Sequence, residues 1–333
     1  MRFRFRSILG FGVLLLLVLV AGAAVPLAAD TAAEGSSERT LQVTGPVDLQ
    51  VETGAGRISV RSGDSGTVRV VGSIRANSGW GIEGKAAEEK VRRIEANPPI
   101  EQNGNVLRIG RIEDSDLRQN VSISYEFVVP RETRLRSATG SGSQTIDGIR
   151  GPLECSTGSG SLKISNLGAE VRASTGSGSI ELDTVQGSVH ASTGSGHIHA
   201  LHIAGGFSGH TGSGGVEVEH TAAGDDEIET GSGGVHVRGA RGSLRVRTGS
   251  GSISAQGEQK GDWRLHTGSG GVTVRLPQEA TFDVDARTSS GHITFDHPVT
   301  VEGTLRPREI RGKVRGGGPR LEVSTSSGSI RIE

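Results

Sequence analysis

Histidines and carboxylates recur at matched places in the second half of the chain. Counted from the Thr of each TGSG motif, His199, Glu217 and His236 all fall six residues on, and His202 and His220 both fall nine residues on. His197 and His199 flank Ile198 and share one face if the segment is a strand. Stacked repeats would bring such side chains to about 5 Å of one another. Imidazole nitrogens and carboxylates at that spacing can share a metal ion, or can form a patch that titrates near neutral pH. A solvated face explains the same positions, because other repeats place Lys163, Glu181 or Asn166 there. His197, His199, Glu217, His236, His202 and His220 are thus the metal candidates, with a plain solvated face as the competing reading. No cofactor is expected.

Other residues that could do chemistry are poorly placed for it. Glycan cleavage needs clustered carboxylates. Asp147 and Asp183 share the eighth position after the Thr but stand two repeats apart, with Ser165 between them. Asp225, Asp226, Glu227 and Glu229 form an acidic run inside a 19-residue repeat and read as a solvated bulge. Cys155 is the one cysteine, so no intramolecular disulfide is possible. It occupies a place where other repeats carry Ala or Val and reads as an inert core thiol. TGSG itself lacks the GK[ST] and the following helix of a nucleotide loop, and it lacks the carboxylate of a calcium β-roll. No catalytic residue is assigned and no enzyme is expected.

The repeat supplies the frame for these residues. Its threonines are Thr139, Thr157, Thr175, Thr193, Thr211, Thr230, Thr248 and Thr267, spaced by 18 or 19 residues. TSSG variants follow at Thr288 and Thr325, so the last coil is expected to carry an insertion. Apolar residues fall at +5 and +7 from each Thr, as Leu162 and Ile164 or Val216 and Val218 do, and apolar or small residues fall near −4 and −2. Each unit therefore reads as two short alternating strands with the Thr on the inward face. TGSG is not an Asn-Gly or Asp-Gly hairpin turn. Equal residue types at equal positions favour parallel stacking, with the eight threonines marking a structural corner. Glycine is expected there for φ > 0 and for the little room a stack leaves. The fold class is all-β: a right-handed parallel β-solenoid of 18–19-residue coils.

Composition agrees with a thin core. Aromatics are 3% of residues and glycines number 53, so the core must be built from Ile, Val, Ala and Thr. The net charge of −1 provides no electrostatic footprint for nucleic acid. Residues 1–29 combine three arginines with an uncharged stretch from Ile8 to Ala29. This is a signal peptide, cleaved after Ala23, Ala28 or Ala29, or a membrane anchor through residues 8–29 if uncleaved. A polar spacer (30–39) leads into a β-rich region (40–136) with one short helix over 84–97, where Ala87, Val91 and Ile94 share a face before Pro98-Pro99. The solenoid runs over 137–333, with an insertion at 300–320. Arg306 to Arg320 carries six basic residues and one acid, and reads as a charged hairpin covering the end of the stack.

The segments TGSGSIELDT, TGSGGVEVEH and GKVRGGGPRLEVSTSSGSIRIE resemble bacterial adhesin-type domains of unknown function. These are the toast-rack β-solenoids, which are similar also to the auto-transporter adhesin head (GIN) domains. The resemblance implies an exported protein of the periplasm, cell surface or extracellular space, with no established catalysis. It points to an adhesin-like or structural module whose partner is a surface polymer or envelope protein. A membrane-anchored component of envelope-stress sensing is the alternative, and a polysaccharide-active β-helix enzyme comes third.

Overall fold

The computed structural model describes residues 32–64, 66–77, 84–300 and 305–333. The signal or anchor reading of residues 1–29 lies outside the described residues. Each repeat forms two short strands, such as Val171–Thr175 and Ile180–Val185. Their side chains alternate between buried and exposed, as half-buried strands require. Successive coils pair in parallel and in register: Val171 opposes Val189, Thr175 opposes Thr193, and Ile180 opposes Ile198. The first strand of every coil joins a 16-stranded sheet and the second a 14-stranded sheet. One apolar core runs between them. This is the expected parallel β-solenoid, and it excludes the hairpin arrangement.

The TGSG corner is held by its threonine. The Thr193 hydroxyl donates to the Gly178 carbonyl of the preceding coil at 2.9 Å and accepts from the Gly196 N–H of its own coil at 3.1 Å. The bond to the preceding coil repeats from Thr157 to Thr267 at 2.8–3.0 Å. The hydroxyl thereby satisfies a backbone donor and a backbone acceptor that would otherwise be buried without partners. The glycines answer to space and not to dihedral angle. Gly176, Gly178, Gly194 and Gly196 are not among the residues with positive φ. A Cβ on Gly178 would overlap the Gly160 carbonyl, and one on Gly196 the Gly178 carbonyl. The expected need for φ > 0 is thus corrected at this corner.

Left-handed residues do stack, but at the ninth position after the Thr. Gly148 (φ 79°), Asn166 (57°), Thr184 (58°), His202 (54°) and Gly239 (71°) lie there. Gly and Asn are the residues that adopt this region at least cost, whereas a β-branched Thr is strained there.

Both ends depart from sequence order. The coil of Thr325 slots between those of Thr267 and Thr288, pairing with each in parallel. The C-terminal residues therefore stack inside the coil that precedes them in the chain. At the other end the Thr53 coil lies between the Thr139 coil and a coil made from 106–109 and 121–130. Antiparallel strands then finish three of the four sheet ends, and Ile293–Phe295, paired in parallel with Ile330–Ile332, finishes the other. Glu309–Val314, from the basic insertion, runs antiparallel on Phe282–Ser290, and Ala33–Gln42 runs antiparallel on Thr67–Ala76. The helix Gly84–Ala96 buries Ala87, Val91 and Ile94 and contacts both N-terminal strands. Its Glu95 accepts the Ser36 N–H of the edge strand at 2.8 Å. Near the C-terminal end, strands 263–269, 320–327 and 282–290 run on past the threonine. The corner there has room for Ser289 and Ser326 where other coils require Gly.

Substitution of the second corner glycine, as in Gly178→Ala, is expected to cost about 3 kcal/mol by overpacking. Thr193→Val is expected to cost about 1–3 kcal/mol by orphaning the Gly178 carbonyl and Gly196 N–H, with Thr193→Ser milder. Urea unfolding of the three variants measures both effects.

Candidate functional site

The surface positions come from the outward residues of the coils, held in columns by the register. His199 lies on Ile198–Ile203 between Glu181 and Glu217, with its Nδ1 2.9 Å from Glu217 Oε2. Arg238 of the next coil binds the other Glu217 oxygen at 2.6 Å and Glu219 at 3.2 Å. Glu217 stays below the usual carboxylate range: burial raises it, but Arg238 and His199 outweigh that. His202 turns outward from its left-handed backbone and meets Asp183 of the preceding coil at 2.7 Å. Its bond to Asp183 raises the His202 pKa and lowers that of Asp183. His197 takes a different part: its Nδ1 accepts the Gly215 N–H at 3.0 Å. His236 opposes Glu217 in register. Among the described residues, no three His, Cys, Asp or Glu side chains converge to hold a metal.

Two sequence readings are corrected. His220 was expected outward beside His202, and it is buried. Its coil lacks the left-handed residue at the ninth position, and the pairing register shifts between Ala200 and Ile203. His220 therefore enters the inward column below Ile203. The acidic run was expected to be a solvated bulge. Asp226 instead occupies the inward column between Phe207 and Leu244. The two buried side chains meet, with His220 Nε2 3.0 Å from Asp226 Oδ2 and each side chain 1% exposed. Asp226 Oδ1 also accepts the Phe207 N–H at 3.2 Å. Burial pushes Asp226 above the ordinary carboxylate range, and its bond to His220 pulls it back. The rest of the run serves the frame or pairs. Asp225 caps the Ser243 N–H at 2.8 Å, and Glu227 and Glu229 lie 4.0 and 3.8 Å from Arg245 and Arg247. The signal for the buried pair was present in the sequence: Asp226 stands four residues before Thr230, where neighbouring coils carry Phe207 and Leu244.

The remaining candidates form no reactive centre. Asp147 accepts from Ser165 Oγ and Asn166 Nδ2, both at 2.7 Å, and faces no second carboxylate. Cys155 is fully buried, and burial pushes its thiol up to about 12, so it is a core residue. A shallow groove of about 570 Å³ crosses the 16-stranded sheet where Gly206 and Ser208 leave a dent beside His190, Asp225 and Arg245. One large apolar side chain, Val106, is exposed among the described residues. Tyr125, Trp263, Phe127, Phe207 and Phe282 are all buried.

These features define a parallel β-solenoid whose repeated motif is consumed by its own frame. Residues 203–333 match the model of the Toastrack DUF4097 family. The coils before residue 203 continue the same corner geometry. No curated protein matches the chain. Among solved structures, one from Parabacteroides distasonis ATCC 8503, described as a "putative adhesin", is 9% identical with a TM-score of 0.38 and covers 89% of this chain and 97% of its own. A "putative lipid binding protein" from the same organism is 13% identical with a TM-score of 0.35, covering 90% and 96%. A "putative cell adhesion protein" from Clostridium sporogenes ATCC 15579 is 11% identical with a TM-score of 0.21, covering 90% and 99%.

Asp226→Ala is expected to destabilise by about 3–5 kcal/mol, because it leaves His220 buried without its partner. The double change His220→Ile with Asp226→Val, which restores the residue types of neighbouring coils, is expected to be neutral or stabilising. Because the native state raises Asp226, it holds that proton more tightly than the unfolded chain does. Stability carried by this group falls as pH climbs from 3.8 to the raised native value and is flat beyond. Denaturant titrations of wild type and the double variant at stepped pH check the sign.

Proposed function

We propose that the protein is an exported, non-enzymatic module of the bacterial envelope, adhesin-like or structural, that works through the outer faces of the solenoid. The observation that carries this reading is the division of labour within each coil. Thr and Gly of TGSG are spent on coil-to-coil bonds and close backbone contact, while the outward residues differ from coil to coil. The described surface has a shallow groove in place of a catalytic cleft, and Asp147 and Asp183 are engaged separately. With Tyr125, Trp263, Phe127, Phe207 and Phe282 buried and Phe295 half-buried against Phe282 and His297, the described surface offers little aromatic area for stacking on sugar rings. Contacts with a partner would rest on charge and hydrogen bonds, which suits a polar surface polymer or another envelope protein.

The uncharged stretch Ile8 to Ala29 favours a second reading, an anchored component of envelope-stress sensing. Among the described residues no helix is long and apolar enough to cross a membrane. Cell fractionation with N-terminal sequencing separates the two. A mature chain starting after Ala23, Ala28 or Ala29 in the envelope or medium, which then binds surface polymer in a glycan screen, is the expected result. An intact chain starting at Met1 in the membrane fraction favours the anchored reading. Polysaccharide cleavage abolished by Asp147→Asn or Asp183→Asn would overturn the non-enzymatic one.

A further inference from the structure

Histidine–carboxylate pairs are gathered in one band of the solenoid, where arginine shares some of the same carboxylates. Five of the ten histidines lie within 4.0 Å of a carboxylate, and all five bridge adjacent coils. They fall on three successive interfaces. Between the Thr175 and Thr193 coils stand His190–Glu170 at 3.9 Å and His202–Asp183 at 2.7 Å. Between the Thr193 and Thr211 coils stands His199–Glu217 at 2.9 Å. Between the Thr211 and Thr230 coils stand His210–Glu229 at 4.0 Å and the buried His220–Asp226 at 3.0 Å. Outside the band the equivalent bridges use arginine, as in Arg136–Glu154, Arg264–Glu322 and Arg275–Glu333. Arginine keeps its charge throughout, whereas histidine loses it near neutrality.

We infer that the three coil interfaces from Thr175 to Thr230 form a pH-set clamp in the middle of the solenoid, tight when the histidines are protonated and looser when they are neutral. Other charges face these groups without replacing the pairs. Arg172 lies beside His190 and holds Glu170 at 2.6 Å. Glu181 flanks His199, and Arg238 shares Glu217. Glu219 acts on His202, and His199 on Asp183. Arg247 shares Glu229, and Asp225 acts on Asp226. Arg238 and Arg247 keep part of the cross-coil attraction at high pH, so the clamp loosens without opening the stack.

The sign follows from the best-formed pair. His202 is raised by Asp183, so its stabilisation is complete below the ordinary histidine value of 6.5 and is lost as pH rises through the raised native value. Asp183 is lowered, so its share is present above 3.8 and is lost only as pH falls through the depressed value. The clamp is thus strongest in mildly acidic conditions. The pairs are mostly exposed and individually weak, and they act together because they cross consecutive interfaces.

Hydrogen exchange on the intact chain at about pH 5.5 and about pH 7.5, corrected for intrinsic rates, reads the clamp directly. Protection of strands 189–193, 198–203, 207–211 and 216–220 is expected to fall about threefold or more at the higher pH. Strands 244–248, 253–257 and 263–269 are expected to hold theirs. The combined variant His190→Gln, His199→Gln, His202→Gln and His210→Gln, built on the double change His220→Ile with Asp226→Val, is expected to show band protection that no longer depends on pH. If that variant does not fold, His202→Gln alone must lower the pH dependence at 180–185, the strand that carries Asp183. An equal change in both sets of strands overturns the inference, as does a pH dependence that survives the substitutions.

Discussion

The solenoid depends on one hydrogen bond, from the hydroxyl of a buried threonine to the glycine carbonyl of the coil before it. The bond closes the tightest point of the stack, where adjacent backbones pass with no space for a side chain. A corner so close would strand backbone donors and acceptors away from water. The threonine satisfies one of each, and it is buried in every coil from Thr139 to Thr267. This constraint accounts for the sequence repeat: spacing, glycine content and small residues follow from repeating one corner. It also explains how a chain with few aromatics builds a continuous core. Each coil buries a handful of β-branched side chains on its neighbours, and the stack sums them. Where a side chain is missing, a neighbour compensates, as the Phe207 ring does beside Gly209.

A stack of identical parallel edges would keep growing or aggregate, and the two ends show how that is prevented. Each end seats one coil out of chain order, and antiparallel strands follow on three of the four sheet ends. The Thr325 coil locks under the Thr288 coil, and the insertion strand Glu309–Val314 then covers Phe282–Ser290. The basic residues of that insertion are largely spent on it: Arg311 and Arg320 pair with Asp285, as Arg287 does. At the N-terminal end the helix lies on the outermost strands, and Glu95 occupies one of the free edge donors.

Because the frame is internal, the outward residues can vary without touching the fold. The charged columns of the two faces follow from this freedom, and recognition of a polar partner would be written there. The buried His220–Asp226 pair is the exception, since it spends two core positions on ionisable groups where neighbouring coils use apolar ones. It sits at the interface where coil length changes from 18 to 19 residues, which makes this level of the stack chemically unlike the rest.

The sequence alone determined the coil. An 18-residue period, two alternating segments per period and an inward Thr are local patterns, and local patterns in phase along the chain specify parallel stacking. It also determined the helix face of Ala87, Val91 and Ile94 and the burial of Cys155. Only the tertiary structure decided the order of the coils at the ends. Thr267, Thr288 and Thr325 carry interchangeable corners, so the repeat cannot say which stacks on which. The same holds for the pairing of His220 with Asp226, although the place of Asp226 four residues before Thr230 is legible in the sequence. Counting from the Thr puts His220 on the surface with His202, but without left-handed backbone at that position His220 itself turns inward, into the column of Ile203. The 19-residue spacing from Thr211 to Thr230 shows an extra residue in this coil but not which column takes it. That becomes visible only when the neighbouring coil is in place to show which column each side chain enters.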